Sequence, residues 1–332
     1  MEFDQLIIGL AGVIATASPI VFAVLGETLT ERAGVINLSV NGMILLTAMS
    51  GFAVAATTGS VLLGFAAGML IGALVGAVVA FTSITLRQSQ VAIGFVLALM
   101  TRDLAYYLGS PFTGQNGPRV PPAPIPLLSD IPVVGPLFFD HDLVVYLSFI
   151  LIAVTYLWLF RTAPGLVLQG VGERPASAYV RGVDVNRQRY FYTILGGALV
   201  GLAGPAYSLS IKAGWQGTIS GLDGIGWIAL AITIFGGWNP LRAATGAYFF
   251  ALLQWLSLVL QPVLTGIPSQ VLQVAPFPLM ILTLLLVNFG STEWVRRRLS
   301  ALPEDQRRAV NALIRRLNVS PPSALGTNFR KQ

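Results

Sequence analysis

Arg102 and Asp103 stand side by side in the apolar run 91–109, with Tyr106 and Tyr107 one helical turn further on. An ionisable side chain is costly inside a bilayer, so a pair in such a run is a default candidate for a solute pathway. On a helix Arg102 and Tyr106 share a face, whereas Asp103 points about 100° aside. Adjacent helical residues do not face each other, so the two charges are expected to find separate partners or to reach toward the outer interface. Pathway lining and structural pairing both stay open at this point. Two polar interruptions add candidates. GETLTERAGVINLSVNG (26–42) places Glu27, Glu31, Arg32, Asn37, Ser39 and Asn41 at the junction of the first two apolar runs, and GWQGTISGLDGIGW (214–227) places Asp223 ahead of the seventh. Backbone groups freed by a broken helix are tolerated at membrane depth only where protein or a water-filled cavity satisfies them. Transporter sites are often built at such breaks; a plain surface loop is the competing reading of each. Phe95, Trp215 and Trp227 offer ring faces to a flat or sugar-like solute, against the alternative that they are belt anchors at the membrane interface.

A second kind of chemistry is suggested by the loop 161–189, which carries Arg161, Arg174, Arg181, Arg187 and Arg189. Arginine-rich loops stay on the cytoplasmic side. Within it GERPASAYVRG (172–182) predicts a short helix, with Pro175 at the first helical position and Gly182 just past the end. Ala176, Tyr179 and Val180 then share a small apolar face suited to a partner's groove. Gly172, Glu173, Arg174 and Arg181 complete this candidate docking segment, which suggests a transporter driven by a separate motor subunit.

The elements that must position these residues are membrane helices. The chain has 55% apolar and 10% charged residues and a mean hydropathy of +0.74, whereas soluble proteins average roughly 25% charged. The apolar runs suit helices of about 20 residues rather than the alternating strands of a barrel. Nine spans fit: 5–26, 38–57, 60–86, 91–109, 142–160, 190–211, 224–238, 241–262 and 274–291. The expected fold is therefore an all-α integral membrane protein, a multi-pass bundle of about nine transmembrane helices with an external N-terminus and a cytoplasmic C-terminus. This orientation puts Arg32, Arg87 and Arg242 inside and leaves Arg119 and Lys212 outside. The first run lacks the basic start and cleavage-like end of a secretory signal and is expected to persist as a helix. The net charge of +6 belongs to topology and lipid contact rather than to nucleic acid.

The proline-rich segment 110–142 predicts an external loop or cap, either a connector or a dock for an external solute receptor. His141, between Asp140 and Asp142, reads as part of a solvated turn rather than a metal ligand. Gly64, Gly68, Gly72 and Gly76 recur every four residues, and Gly197 and Gly201 repeat the pattern; close helix packing is the expectation for all six. Residues 1–292 form the membrane domain, and 293–332 a basic tail with an interfacial amphipathic helix at 302–317. There is no cysteine, and no GxSxG elbow, HExxH or metal cluster. The phosphate-gripping GxxxxGK[ST] loop is missing too, so ATP, if used, belongs to another chain.

Three segments carry a family resemblance: GETLTERAGVINLSVNGMILLTA (26–48), GVGERPASAYVRGVDVNRQR (170–189) and GLDGIGWIALAITIFGGWNPLRAATGAYFFALL (221–253). The chain resembles the permease subunits of ABC importers for branched-chain amino acids, ribose-type sugars and nucleosides, closest to the nucleoside branch. The resemblance implies a non-enzymatic transport subunit of a bacterial plasma (inner) membrane that moves solute inward by alternating access. It implies docking of 172–182 on a cytoplasmic ATPase that holds ATP and magnesium, with no cofactor on this chain. It further implies a second permease subunit, more in keeping with a related chain than a copy, and an external solute-binding protein or lipoprotein. Asn37, Ser39 and Asn41 gain weight as path residues. Relatives of the nucleoside branch typically have Glu-Gly where this chain has Asn41-Gly42, and the sugar permeases usually begin with an additional helix. A nucleoside leads as solute, ahead of a simple sugar, a riboflavin-like vitamin or a branched-chain amino acid. An ion-coupled carrier or channel without ATPase, and a structural scaffold, are the rivals from other classes.

Overall fold

The computed structural model describes residues 3–212, 214–264 and 320–329, with 266–268, 271, 274, 275, 277–279, 281 and 282. In chain order the helices are α1 (Phe3–Arg32), α2 (Val40–Thr58), α3 (Val61–Ala80), α4 (Gln90–Gly109), α5 (Leu143–Arg161), α6 (Ala163–Glu173), α7 (Pro175–Val180), α8 (Val185–Pro205), α9 (Ile225–Phe235) and α10 (Pro240–Leu260). Among the described residues no strand occurs, and seven helices are long and apolar enough to span a bilayer. The protein is a multi-pass helical membrane protein. Of the predicted ninth span, 274–291, only 274, 275, 277–279, 281 and 282 are described, and the tail helix at 302–317 lies outside the described residues.

Two expectations about the breaks need correction. The seventh predicted span, 224–238, holds a helix of only 11 residues, about 16 Å long and so about half of a 30 Å hydrocarbon core. Gly214, Gly217, Gly221 and Gly224, at φ of 86°, 58°, 68° and 102°, keep the chain from coiling any earlier. At the first interruption, Glu27, Glu31 and Arg32 do not break the helix: α1 runs 30 residues through Arg32, and the break is the segment 33–39. The arginine loop holds a second helix beside the expected one, since α6 precedes α7 and is capped by the Thr162 hydroxyl, which accepts from the Gly165 N–H.

The bundle is organised around α1, whose middle is sealed from 17 to 31, and around the pair α3 and α8. A Cβ on Gly72 would meet the Gly197 carbonyl, one on Gly201 the Gly68 carbonyl, and one on Gly76 the Thr193 carbonyl at 2.7 Å. The two backbones therefore touch directly. Pro205 fills the gap beside Gly68 and Gly51, after which α8 widens into a π-helical end at 206–211. In contrast, Leu62, Leu70, Leu74 and Val78 on α3, and Ile150, Val154 and Leu157 on α5, point outward. Apolar faces of this kind are at home against lipid or a membrane partner.

One end of the bundle collects cations. Arg32 donates from Nε to the Trp238 carbonyl (3.1 Å) and from Nη2 to the Gly237 carbonyl (3.2 Å), tying α1 to the α9–α10 turn. The loop 110–142 caps the other end in turns and extended backbone with short helical stretches at 110–112 and 135–139, and Val120 N–H is bonded to the Leu209 carbonyl at 2.9 Å. His141 is buried at 8% exposure, with its Nε2 2.8 Å from the Leu137 carbonyl, rather than in a solvated turn. The cap folds back over it and fills the space water would take. Gly72→Val puts branched carbon where the Gly197 carbonyl lies, and overpacking of this kind costs about 1–3 kcal/mol or more. Thermal melting of the detergent-purified protein is expected to fall by several degrees, whereas Gly12→Ala, on α1 where an added Cβ meets nothing within 4 Å, is expected to cost far less.

Candidate functional site

The short helix α9 begins inside the bundle. Along α4, Gly94 lies beside Leu38, Gly42 beside Ala98 and Thr101, and Gly109 against Trp215 and Met49. The start of α9 lies between these levels, because the Gly226 backbone abuts Asn41 and Tyr106 reaches Asp223. A helix that starts at membrane depth exposes N–H groups that water cannot satisfy. Asn41 supplies the answer from another helix: its Oδ1 accepts from Gly224 N–H at 2.8 Å and Gly226 N–H at 3.2 Å. Its Nδ2 then donates to Asp223 Oδ1 at 2.7 Å, and the Tyr106 hydroxyl donates to Asp223 Oδ2 at 3.3 Å. An anion before a helix N-terminus is favoured by the helix dipole.

The segment leading into Asn41 is internally bonded. Asn37 Oδ1 accepts from Ser39 N–H at 3.1 Å and from Ser39 Oγ at 2.5 Å, while its Nδ2 donates to Glu27 Oε2 at 3.4 Å. Asn37, Ser39 and Glu27 are fully buried, and Glu27 Oε1 has no partner among the described residues. Asn37 and Ser39 thus shape the approach to Asn41 and present no free surface of their own.

A partly exposed strip, the notch, lies beside this buried core. Phe95 and Trp227 set their rings 6.2 Å apart and are 49% and 37% exposed. Positions 95, 102 and 106 follow one stripe of α4, so Arg102 and Tyr106 extend the notch toward Asp223. Arg102 and Asp103, expected to find separate partners, instead pair with each other, Nε to Oδ1 at 2.9 Å. Both are exposed enough for the long arginine stem to wrap around the helix surface. This pair is therefore a screened surface contact worth little to stability. Trp215 is 1% exposed, tilted 6.1 Å from Tyr106 in the core, and presents no ring to a solute.

Asp223 also borders a cavity of about 750 Å³ lined by Thr16, Tyr207, Lys212, Gln254 and Trp255. Lys212 lies 5.6 Å over the Tyr207 ring, and burial lowers its ammonium pKa below the usual value. Sequence reasoning missed this cavity: Thr16, Gln254 and Trp255 lie in apolar runs and meet only through tertiary packing.

The docking candidates sit apart, at the cationic end. Pro175 opens α7, and Gly182 turns the chain at φ 88° with its N–H on the Tyr179 carbonyl at 2.9 Å. Ala176, Val180 and Arg181 are exposed, Val180 by 86%. Gly172 is buried, because a Cβ there would strike the Arg32 carbonyl.

The family described as branched-chain amino acid transport system, permease component, matches residues 9–287. The chain is similar to a putative glucose ABC transporter permease protein of Haloferax volcanii, 37% identical over 261 residues, 75% of this chain and 78% of that one. It is 32% identical over 289 residues to a nucleoside ABC transporter permease protein of Lactococcus lactis, covering 83% and 90%. It is also 32% identical over 284 residues to a guanosine ABC transporter permease protein of Bacillus subtilis, covering 81% and 88%. No solved structure matches the chain. Asn41→Ala removes the cap of α9 and one partner of Asp223. A lost cap costs about 0.5–2 kcal/mol, so a lowered melting temperature and reduced uptake are expected together, measured on purified and on membrane-embedded protein.

Proposed function

The chain belongs to the permease-component family of ABC transport systems, and from that premise we propose that it is one half of an importer's membrane channel, carrying nucleosides inward. The observation that carries the solute class is the notch at α9. The Phe95–Trp227 ring pair suits the flat face of a base, and the Asp223 carboxylate, held by Asn41 and Tyr106, suits the hydroxyls of a ribose. The nucleoside and guanosine permeases among its relatives support this reading. A second reading, a simple sugar such as glucose, is favoured by the Haloferax relative, and the same carboxylate serves it.

In this proposal a cytoplasmic ATPase, holding ATP and magnesium, grips α7 and its flanks from Gly172 to Gly182. The exposed Ala176 and Val180 fill its groove and Arg174 and Arg181 frame it. A second permease subunit, a related chain, faces the notch, and an external binding protein or lipoprotein delivers solute over the cap at 110–142. The N-terminus lies outside and the C-terminus in the cytoplasm of a bacterial cell, with the cationic end inward. A ninth helix, beyond the seven spanning helices and the short α9, completes that orientation. ATP binding draws on α7, and the bundle passes from outward to inward facing.

Two measurements test this. Ala176→Arg puts bulk and charge on the docking face. Uptake is expected to fall at least about tenfold, the equivalent of about 1.4 kcal/mol of lost coupling, while the protein still inserts; normal uptake removes the docking assignment. Trp227→Ala is expected to raise KM for guanosine by about tenfold, in line with about 1–3 kcal/mol for stacking on a base, and to alter glucose uptake less. The reverse order favours the sugar reading.

A further inference from the structure

The segment 320–329 lies across the cationic end and bonds to α6, to α8 and to the stretches that follow α1 and α3. Ser323 donates from its backbone N–H and its hydroxyl to Glu173 Oε2, at 3.2 and 2.8 Å. Ala324 N–H bonds the Gly172 carbonyl at 2.9 Å and Gly326 N–H the Gly34 carbonyl at 3.1 Å. Asn328 Nδ2 reaches the Arg87 carbonyl at 3.2 Å. Arg189 Nη1, on a side chain only 1% exposed, donates to the Thr327 carbonyl at 2.6 Å. Phe329 sets its ring 5.6 Å from that of Tyr179. The segment therefore has two sets of contacts: one on α6 and α7, the other on the ends of α1, α3 and α8.

Of its other side chains, Pro322 and Ala324 are buried and Leu325 is half-buried. Pro321 and Leu325 line a cavity of about 360 Å³ whose wall includes Ile36, Leu38, Leu230, Ile234 and Trp238. Leu38 packs beside Gly94 of α4 and lies three residues before Asn41, while Leu230 and Ile234 belong to α9. A displacement of α7 thus reaches this segment directly through Tyr179 and Phe329, alongside its contacts with α6 and α8. Because Arg189 is buried, loss of the Thr327 carbonyl leaves charged N–H groups without that acceptor, a cost that resists parting the segment from α8.

We propose that 320–329 is the tie through which motion of the docking helix reaches the inner mouth of the path, with Ser323, Thr327 and Phe329 as positioning residues. The proposal rests on the reading of α7 as the ATPase-docking helix.

The chain lacks cysteine, so Ile234→Cys supplies a single thiol in the cavity wall. The transporter complex, purified from native membranes and reconstituted, is labelled with an impermeant maleimide with and without ATP, alongside ATP hydrolysis. With the segment intact, ATP is expected to change the labelling rate about fivefold or more, in the usual range of coupling between sites. Deletion of 320–332 is expected to abolish that change while the ATPase stays bound and hydrolyses ATP at an undiminished rate. An unchanged response to ATP after deletion overturns the tie, and so does loss of the ATPase, which makes the segment part of the dock. Should the deletion variant fail to accumulate, Ser323→Ala with Phe329→Ala decides: a loss of half or more of the response supports the tie, and a full response overturns it. Ala176→Arg, run in parallel with the segment intact, separates the two readings. If it leaves ATPase binding and the ATP response untouched, the docking assignment fails whatever the segment does.

Discussion

The candidate site depends on one carboxamide. A helix that begins inside a membrane bundle needs acceptors for its first N–H groups, and α9 obtains two from Asn41 Oδ1. The same side chain turns its donor to Asp223, so the anion at the head of α9 and the helix itself are held by opposite ends of one amide. A carboxylate at position 41 could accept the N–H groups but could not donate to Asp223. Asparagine meets both demands because it carries an acceptor and a donor a few ångströms apart.

Around that point the bundle divides into stiff and adjustable parts. Where α3 meets α8, glycine faces glycine and carbonyl oxygens meet α-carbons, an arrangement with no side chain to re-pack and so little room to slide. The notch and the cavities lie elsewhere, along α4, α9 and the break at 212–224, where four glycines at positive φ replace helix with loop. At the opposite end, Arg32 closes the α9–α10 turn and Arg189 holds the terminal segment. These two arginines use their planar donors on carbonyls, which gives the cationic end internal structure in addition to the topological role of basic residues.

Much of the architecture was legible in the residues. Apolar runs of twenty or so residues have few alternatives to membrane helices; Pro175 and Gly182 mark a short helix because one forbids an N–H bond and the other tolerates φ of 88°. The candidate site was legible in part. Asn41, Tyr106, Asp223, Phe95 and Trp227 stood out as polar or aromatic residues at breaks and in spans, and the fold brings them together. Trp215 stood out equally and is core, because nothing local distinguishes a ring that faces solute from one covered by Met49 and Gly109. The Arg102–Asp103 pair escaped the rule for adjacent helical residues because a four-bond stem at an exposed position can bend back.

Composition and local stereochemistry, which need no partner, decided the class of fold, the breaks in the helices and the short helix of the arginine loop. Tertiary structure alone decided that α9 is capped from α2, that Arg189 answers to the Thr327 carbonyl 138 residues away, and that a cavity opens beside Asp223. Those outcomes rest on hydrogen bonds and voids between segments remote in sequence, and a side chain's type states what it can bond to without stating what the fold will place beside it.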